Sequence, residues 1–289
     1  VRGPPGLRVL ISDASRLEVW GDPIAHSRSP QLHAAAYEVL GLPWSYGRRR
    51  VGDGAFAEEL AGLDASWRGL SLTMPLKGVA HDAAHELDRR AELTGAVNTL
   101  LLAGGARRGF NTDVGGIVRA LADEGITRLD EARIVGAGAT ATSALVALAE
   151  LGATRIDVIA RRPEAVARLA DLGRRLDVDV TATPFEASAL APAPVTIATL
   201  PGDAPVADAA ADALAAAGGL LFDVVYGHWP TPLSAAWQRV GGTAVSGLGM
   251  LLHQAVLQVR IFATGAVDTP LPGEDAAVAA MRGALESAS

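Results

Sequence analysis

The chain has 289 residues and a formal net charge of −7, a length that suits two domains and a charge that speaks against a nucleic-acid surface. It has no cysteine, which excludes disulfides and thiolate metal sites. No apolar run approaches the ~18 residues of a membrane span, and Arg8 and Asp13 interrupt the start where a signal peptide needs an apolar core, so a soluble cytoplasmic protein is expected.

The first half alternates strands and helices. A strand over 16–25 leads into a helix over 29–41, where Ser29 is expected to cap, Pro30 takes the first turn and Gly41 ends it. A strand over 43–51, a helix over 54–63 and a strand over 67–74 follow. Residues 77–93 read as one helix. Residues 95–105 and 107–113 read as an extended pair joined by a Gly-rich turn. A helix is expected over about 114–124.

Residues 131–153 then give a strand, a Gly-rich turn and a long helix. A strand over 154–160 and a helix over 163–176 continue the series. Further strands fall at 177–183, 193–201 and 218–226, with a helix near 206–217. This βαβ series predicts a parallel sheet. Two helices, 246–264 and about 273–286, end the chain, and one destination for their apolar stripe is a return to the first domain.

Gly136, Gly138 and Ala141 form GxGxxA between an apolar strand and a helix, the context that marks a dinucleotide fingerprint. Gly136 permits the tight turn, Gly138 admits a pyrophosphate and Ala141 lets helix and strand pack closely. Ala137, Ala139 and Thr140 complete the turn, whose free N–H groups favour phosphate. The second strand ends in Ala160, Arg161 and Arg162. An arginine pair there suits the 2′-phosphate of NADP; Asp157, the competing acid, lies mid-strand.

Composition singles out other positions. Lys77 is the one lysine among 25 basic residues, and asparagine occurs only at Asn98 and Asn111, each followed by threonine. Arginine does not release a proton usefully near neutral pH, whereas lysine can in a suitable environment, so Lys77 points to acid–base work. Asp113, placed before a helix, reads as an N-cap and as a carboxylate able to hold and polarise that ammonium. Ser27 and Ser29 at a helix entry can cradle a carboxylate. His81 and His85 lack the glutamate and third ligand of a zinc site, and no metal is expected. His26, His33, His228 and His253 read as structural or exposed.

The stretches GDPIAHSRSPQLH, GLSLTMPLK, GAVNTLL, GFNTD, VGAGATA, DVVYGHWPTPL and GLGMLLHQA occur in order and resemble the shikimate dehydrogenase family over essentially the whole chain. The resemblance implies an α/β protein of two domains. Residues 1–112, completed by 247–289, would form the substrate domain, and 113–246 a Rossmann NADP-binding domain. It implies reversible NADPH-dependent reduction of 3-dehydroshikimate to shikimate. Ser27 and Ser29 would take the substrate carboxylate, and Thr73, Asn98 and Gln254 its hydroxyls or ring. Lys77 and Asp113 would be the catalytic pair. Tyr226 would close on the substrate, with Val224 and Gly247 near the nicotinamide. Ser71 departs from the family's usual asparagine, Val114 from the glycine frequent after the aspartate, and the ATLP turn at 198–201 from an asparagine-containing turn. Alternatives are an NAD-preferring quinate/shikimate dehydrogenase, a non-catalytic sensor and a methylene-tetrahydrofolate dehydrogenase-like enzyme. The implied partner is a small molecule, with no nucleic acid or membrane, for a monomer or homodimer.

Overall fold

A computed structural model describes residues 15–187 and 189–287; the interrupted start, with Arg8 and Asp13, lies outside them. The described residues form two compact units. One runs up to Thr112 and resumes at Leu252, and the other is Asp113–Leu251.

The first unit contains β1 (Ser15–Gly21), α1 (Ser29–Leu40), β2 (Trp44–Arg50), a 3-10 turn (Asp53–Ala55), α2 (Phe56–Ala61), β3 (Trp67–Leu72), α3 (Lys77–Ala83), β4 (Glu86–Leu87), α4 (Arg89–Thr94), β5 (Thr99–Leu101) and β6 (Arg108–Phe110). Its sheet runs β2-β1-β3-β5-β6-β4. The strands β1, β2 and β3 are parallel, and β5 runs antiparallel to both β3 and β6. Because successive strand side chains face opposite ways, Leu70 and Leu72 enter one core with Trp20, Phe56 and Leu76. Gly69 and Ser71 face the other side.

Helix α5 (Thr112–Asp123) opens the second unit's chain. It is followed by β7 (Glu131–Val135), α6 (Ala139–Glu150), β8 (Arg155–Ala160), α7 (Pro163–Arg175), β9 (Asp179–Pro184), β10 (Val195–Ala198), α8 (Asp208–Ala216), β11 (Leu220–Asp223), α9 (Pro232–Arg239) and β12 (Ala244–Val245). The sheet order is β12-β11-β10-β7-β8-β9, and every pairing is parallel. Read from the far edge this is the doubly wound 3-2-1-4-5-6 order, with its switch point between β7 and β10.

Two helices close the chain, α10 (Leu248–Thr264) and α11 (Glu274–Glu286). They return to the first unit, where α11 packs along α1. A Cβ at Gly69 would lie 2.5 Å from Cε1 of Phe262 on α10, so only glycine lets the helix settle this close to the strand.

Three local expectations need correction. The helix expected over 77–93 is two helices. Ala84 is extended with ψ 140°, Glu86 and Leu87 pair with β6, and the Asp88 side chain accepts from Ala91 N at 2.8 Å to start α4. Strand pairing and a cap thus override a helix-favouring composition. Ser29 is the first helical residue of α1 and makes no cap; Arg28 holds that place without a side-chain cap bond. Helix α5 starts at Thr112, so Asp113 sits in its first turn instead of preceding it.

Candidate active site

In the first unit, β1 and β3 end side by side. Thr73 N donates to Trp20 O at 3.0 Å and Asp22 N to Met74 O at 2.9 Å. A Cβ at Gly21 would lie 2.4 Å from Cγ2 of Thr73, so the absence of a side chain at residue 21 sets where Thr73 stands. The chain then turns through Ser27 to α1. Ser29 N donates to Ser27 Oγ at 3.4 Å, which brings the two serines to one helix entry. Ser29 is buried and Ser27 half-buried.

Lys77 opens α3, half-buried. Its carbonyl accepts from Val97 N at 2.9 Å, tying it to the residue before Asn98. Asn98 is 2 % exposed. Its Oδ1 accepts from Thr112 N at 2.8 Å and from the Thr99 hydroxyl at 2.9 Å, and its Nδ2 donates to Thr112 Oγ1 at 2.9 Å. The side chain therefore fixes the residue that leads directly to buried Asp113. Asn111 does comparable work one residue earlier, since its amide group donates to Thr94 Oγ1 at 2.9 Å. Both asparagines are buried and hydrogen-bonded to threonine side chains, as buried amide groups need to be.

The face bearing Ser71 is lined by polar groups. Ser71 Oγ donates to Gln258 Oε1 at 2.9 Å. Gln258 Nε2 donates to Thr99 Oγ1 at 3.0 Å and to Asn98 O at 3.3 Å. His33 Nε2 meets the same Oε1 at 3.2 Å, and its Nδ1 meets the Tyr37 hydroxyl at 3.0 Å. Burial lowers the His33 pKa to about 3 despite the Gln258 bond that raises it, so the ring is neutral at working pH. Tyr46 stacks on that ring at 3.9 Å between centroids. Burial pushes the Tyr46 pKa up, with Ser71 and Ser29 close enough to oppose it. Neither meets hydrogen-bond geometry, and the phenol oxygen is buried without a partner. Gln254 lies one helical turn before Gln258 on α10 and is itself buried.

In the second unit, the Gly-rich turn follows β7. Gly136 has φ +107°, and a Cβ there would lie 2.6 Å from Thr199 Oγ1 at the end of β10. Gly138 has nothing within 4 Å of an added Cβ, leaving open space beside the start of α6. No side chain caps that helix, so its first amides at Ala139 and Thr140 are not claimed by a cap, while Ala141 is fully buried. Ala137 completes the turn. Ala160 ends β8, with Arg161 and Arg162 exposed just beyond. Asp157 is engaged elsewhere: it accepts from buried Arg133 Nε at 2.9 Å and from Thr183 Oγ1 at 2.7 Å. An open cradle, uncapped amides and exposed guanidiniums fit a phosphorylated dinucleotide.

The segment after β11 is clamped at both ends. Val224 N donates to Ala198 O at 3.0 Å and Gly247 N to Val225 O at 3.0 Å. A Cβ at Gly247 would come within 2.1 Å of Val224 O, which explains the glycine. Asp223 accepts from Val225 N at 3.1 Å and from the Thr231 hydroxyl at 2.7 Å. Tyr226 projects from this held loop, half-buried. Asp223 and Thr231 escaped the sequence reading, although Thr231-Pro-x-Ser234 is a legible helix start that closes a reciprocal capping box.

Among the described residues no group of three or more His, Cys, Asp or Glu is placed to hold a metal ion, and no helix is long and apolar enough to cross a membrane.

Comparison with known proteins gives one consistent relationship. The family model of the shikimate dehydrogenase substrate binding domain matches residues 19–100. The chain is 39% identical over 264 residues to a shikimate dehydrogenase (NADP(+)) of Methylobacterium radiotolerans, covering 83% of this chain and 88% of that one. The crystal structure of Mycobacterium tuberculosis shikimate dehydrogenase superposes with a TM-score of 0.82 at 43% identity, over 94% of this chain and 99% of that one. A Thermus thermophilus shikimate 5-dehydrogenase, solved in complex with NADP(H) and shikimate, gives a TM-score of 0.77 at 30% identity, over 93% and 99% of the two chains. With relatives this similar across most of its length, the chain belongs to the shikimate dehydrogenase family.

Proposed function

We propose that the chain catalyses the reversible, NADPH-dependent reduction of 3-dehydroshikimate to shikimate, a step on the route to chorismate and the aromatic amino acids. The observation that carries this is the placement of the one lysine. Lys77 is tied to Val97, beside the Asn98–Thr112 knot that leads into Asp113.

In this reading the substrate domain is residues 1–112 completed by 247–289, and residues 113–246 hold NADP, a boundary five residues before the second compact unit ends at Leu251. Ser27 and Ser29 receive the substrate carboxylate at the start of α1, where backbone amides add positive potential. Thr73, Asn98 and Gln254 bind hydroxyls or orient the ring. Gly136–Ala141 take the pyrophosphate, and Arg161 and Arg162 take the 2′-phosphate. When bound, the cofactor supplies the hydride.

The protein's own contribution is placement and proton transfer. Tyr226 closes on the substrate, while Val224 and Gly247 fix the nicotinamide-side wall. Lys77, with Asp113 as its carboxylate partner, gives a proton to the oxygen on which charge develops and recovers it in the reverse direction. Help of this kind is typically worth ~10²–10⁴-fold in rate. Buried polar groups that pair with substrate hydroxyls reject analogues lacking them. A chain free of cysteine agrees with a cytoplasmic location, and we take the enzyme as a monomer or homodimer.

The test is nicotinamide absorbance with shikimate or quinate, each with NADP and with NAD. Fastest turnover with shikimate and NADP supports the reading. Preference for quinate and NAD would move the chain to the quinate-using branch, and binding without turnover would make it a sensor.

A further inference from the structure

Helix α10 lies in step with β3. Phe262 packs on Gly69, and Gln258 bonds Ser71. Four helical residues rise about 6 Å and two strand residues about 6.6 Å, so the next step sets Gln254 level with Thr73. Ser71 and Gln258 therefore form the layer directly beneath two proposed substrate residues. Ser71 is 3 % exposed and Gln258 2 %.

The direction of every hydrogen bond in this layer is fixed by chemistry. The carbonyl of Asn98 only accepts, so the Gln258 NH₂ must face it, and Oε1 must face Ser71 and His33. An amide oxygen only accepts, so His33 Nε2 carries the proton. The ring is neutral, so Nδ1 is bare and accepts from Tyr37. The same logic commits the Ser71 proton to Gln258, leaving only lone pairs on Ser71 Oγ for any other partner.

We propose that Gln258 is a positioning residue that makes Ser71 an obligate acceptor in the substrate site, where it receives a hydrogen bond from one substrate hydroxyl. This deepens the shikimate dehydrogenase reading and rests on it. An unpaired serine could turn its proton to meet a ligand ketone or carboxylate. Ser71 cannot do so without breaking its bond to Gln258. The arrangement also answers the departure at residue 71. A short side chain stands where the family usually has asparagine, and an amide arrives from α10 to define its polarity.

The test is steady-state kinetics of Ser71→Ala, Gln258→Met and the double variant with shikimate and NADP. Each single variant should raise KM for shikimate about tenfold, with kcat within about threefold and KM for NADP unchanged. The double variant should be no worse than the weaker single, because both remove the same contact. Two results would overturn the relay in an active wild type: an unchanged shikimate KM in Ser71→Ala, or additive effects in the double. If Gln258→Met lowers thermal stability alone and leaves KM intact, the glutamine is structural and the proposal fails. Absence of turnover in the wild type would instead overturn the functional reading beneath it.

Discussion

Acidification to pH 5 tests the buried relay through His33. Burial holds the folded-state pKa of this ring at about 3, against 6.5 for an ordinary histidine. Below pH 6.5 the unfolded chain binds a proton that the folded chain refuses, so stability falls as pH falls and the loss ends near pH 3. Each pH unit in that window costs about 1.4 kcal/mol, or about 2 kcal/mol between pH 6.5 and pH 5. His33→Gln keeps a donor for Gln258 and an acceptor for Tyr37 but cannot titrate. Urea denaturation at pH 7, 6 and 5, read by hydrogen exchange in β3, isolates the first unit. The wild type should lose about 2 kcal/mol more than the variant by pH 5. Parallel curves would refute the reasoning, since they would mean that His33 accepts a proton in the folded state and the relay cannot run as drawn.

Gly69→Ala should destabilise the first unit by about 1–3 kcal/mol through overpacking, because the new methyl meets both Phe262 and the Leu100 carbonyl within 2.7 Å; urea midpoints check this, and an unchanged midpoint would mean that α10 is free to move away. Replacing Arg161 and Arg162 together by alanine should raise KM for NADP on the order of 10- to 100-fold and leave KM for NAD little changed. Equal loss with both cofactors would remove the arginines from 2′-phosphate recognition.

The sequence carried the second unit well. Its βαβ rhythm and glycine turn predict the parallel sheet that the structure shows, since both signals are local. Residues 77–93 failed because a helix-friendly stretch is broken by pairing of Glu86 and Leu87 with β6, a contact with no local trace except the capping aspartate at 88. Lys77 stood out by rarity, in a chain where arginine serves for ordinary charge. Gln258 had no such mark. Glutamine on an amphipathic helix is commonplace, and its partner Ser71 is 187 residues away in sequence. Only the registration of α10 over β3 brings them together. Asn98 was legible as a polar position, but its grip on Thr112 needed the fold.

The most direct test of the account compares the wild type with Lys77→Ala in pre-steady-state reduction of NADP by shikimate, with NADP binding measured separately. Loss of the acid–base group should slow the chemical step by ~10²–10⁴-fold while NADP binds with nearly unchanged affinity. An unchanged rate of hydride transfer in Lys77→Ala would contradict the central claim that this lysine moves the proton.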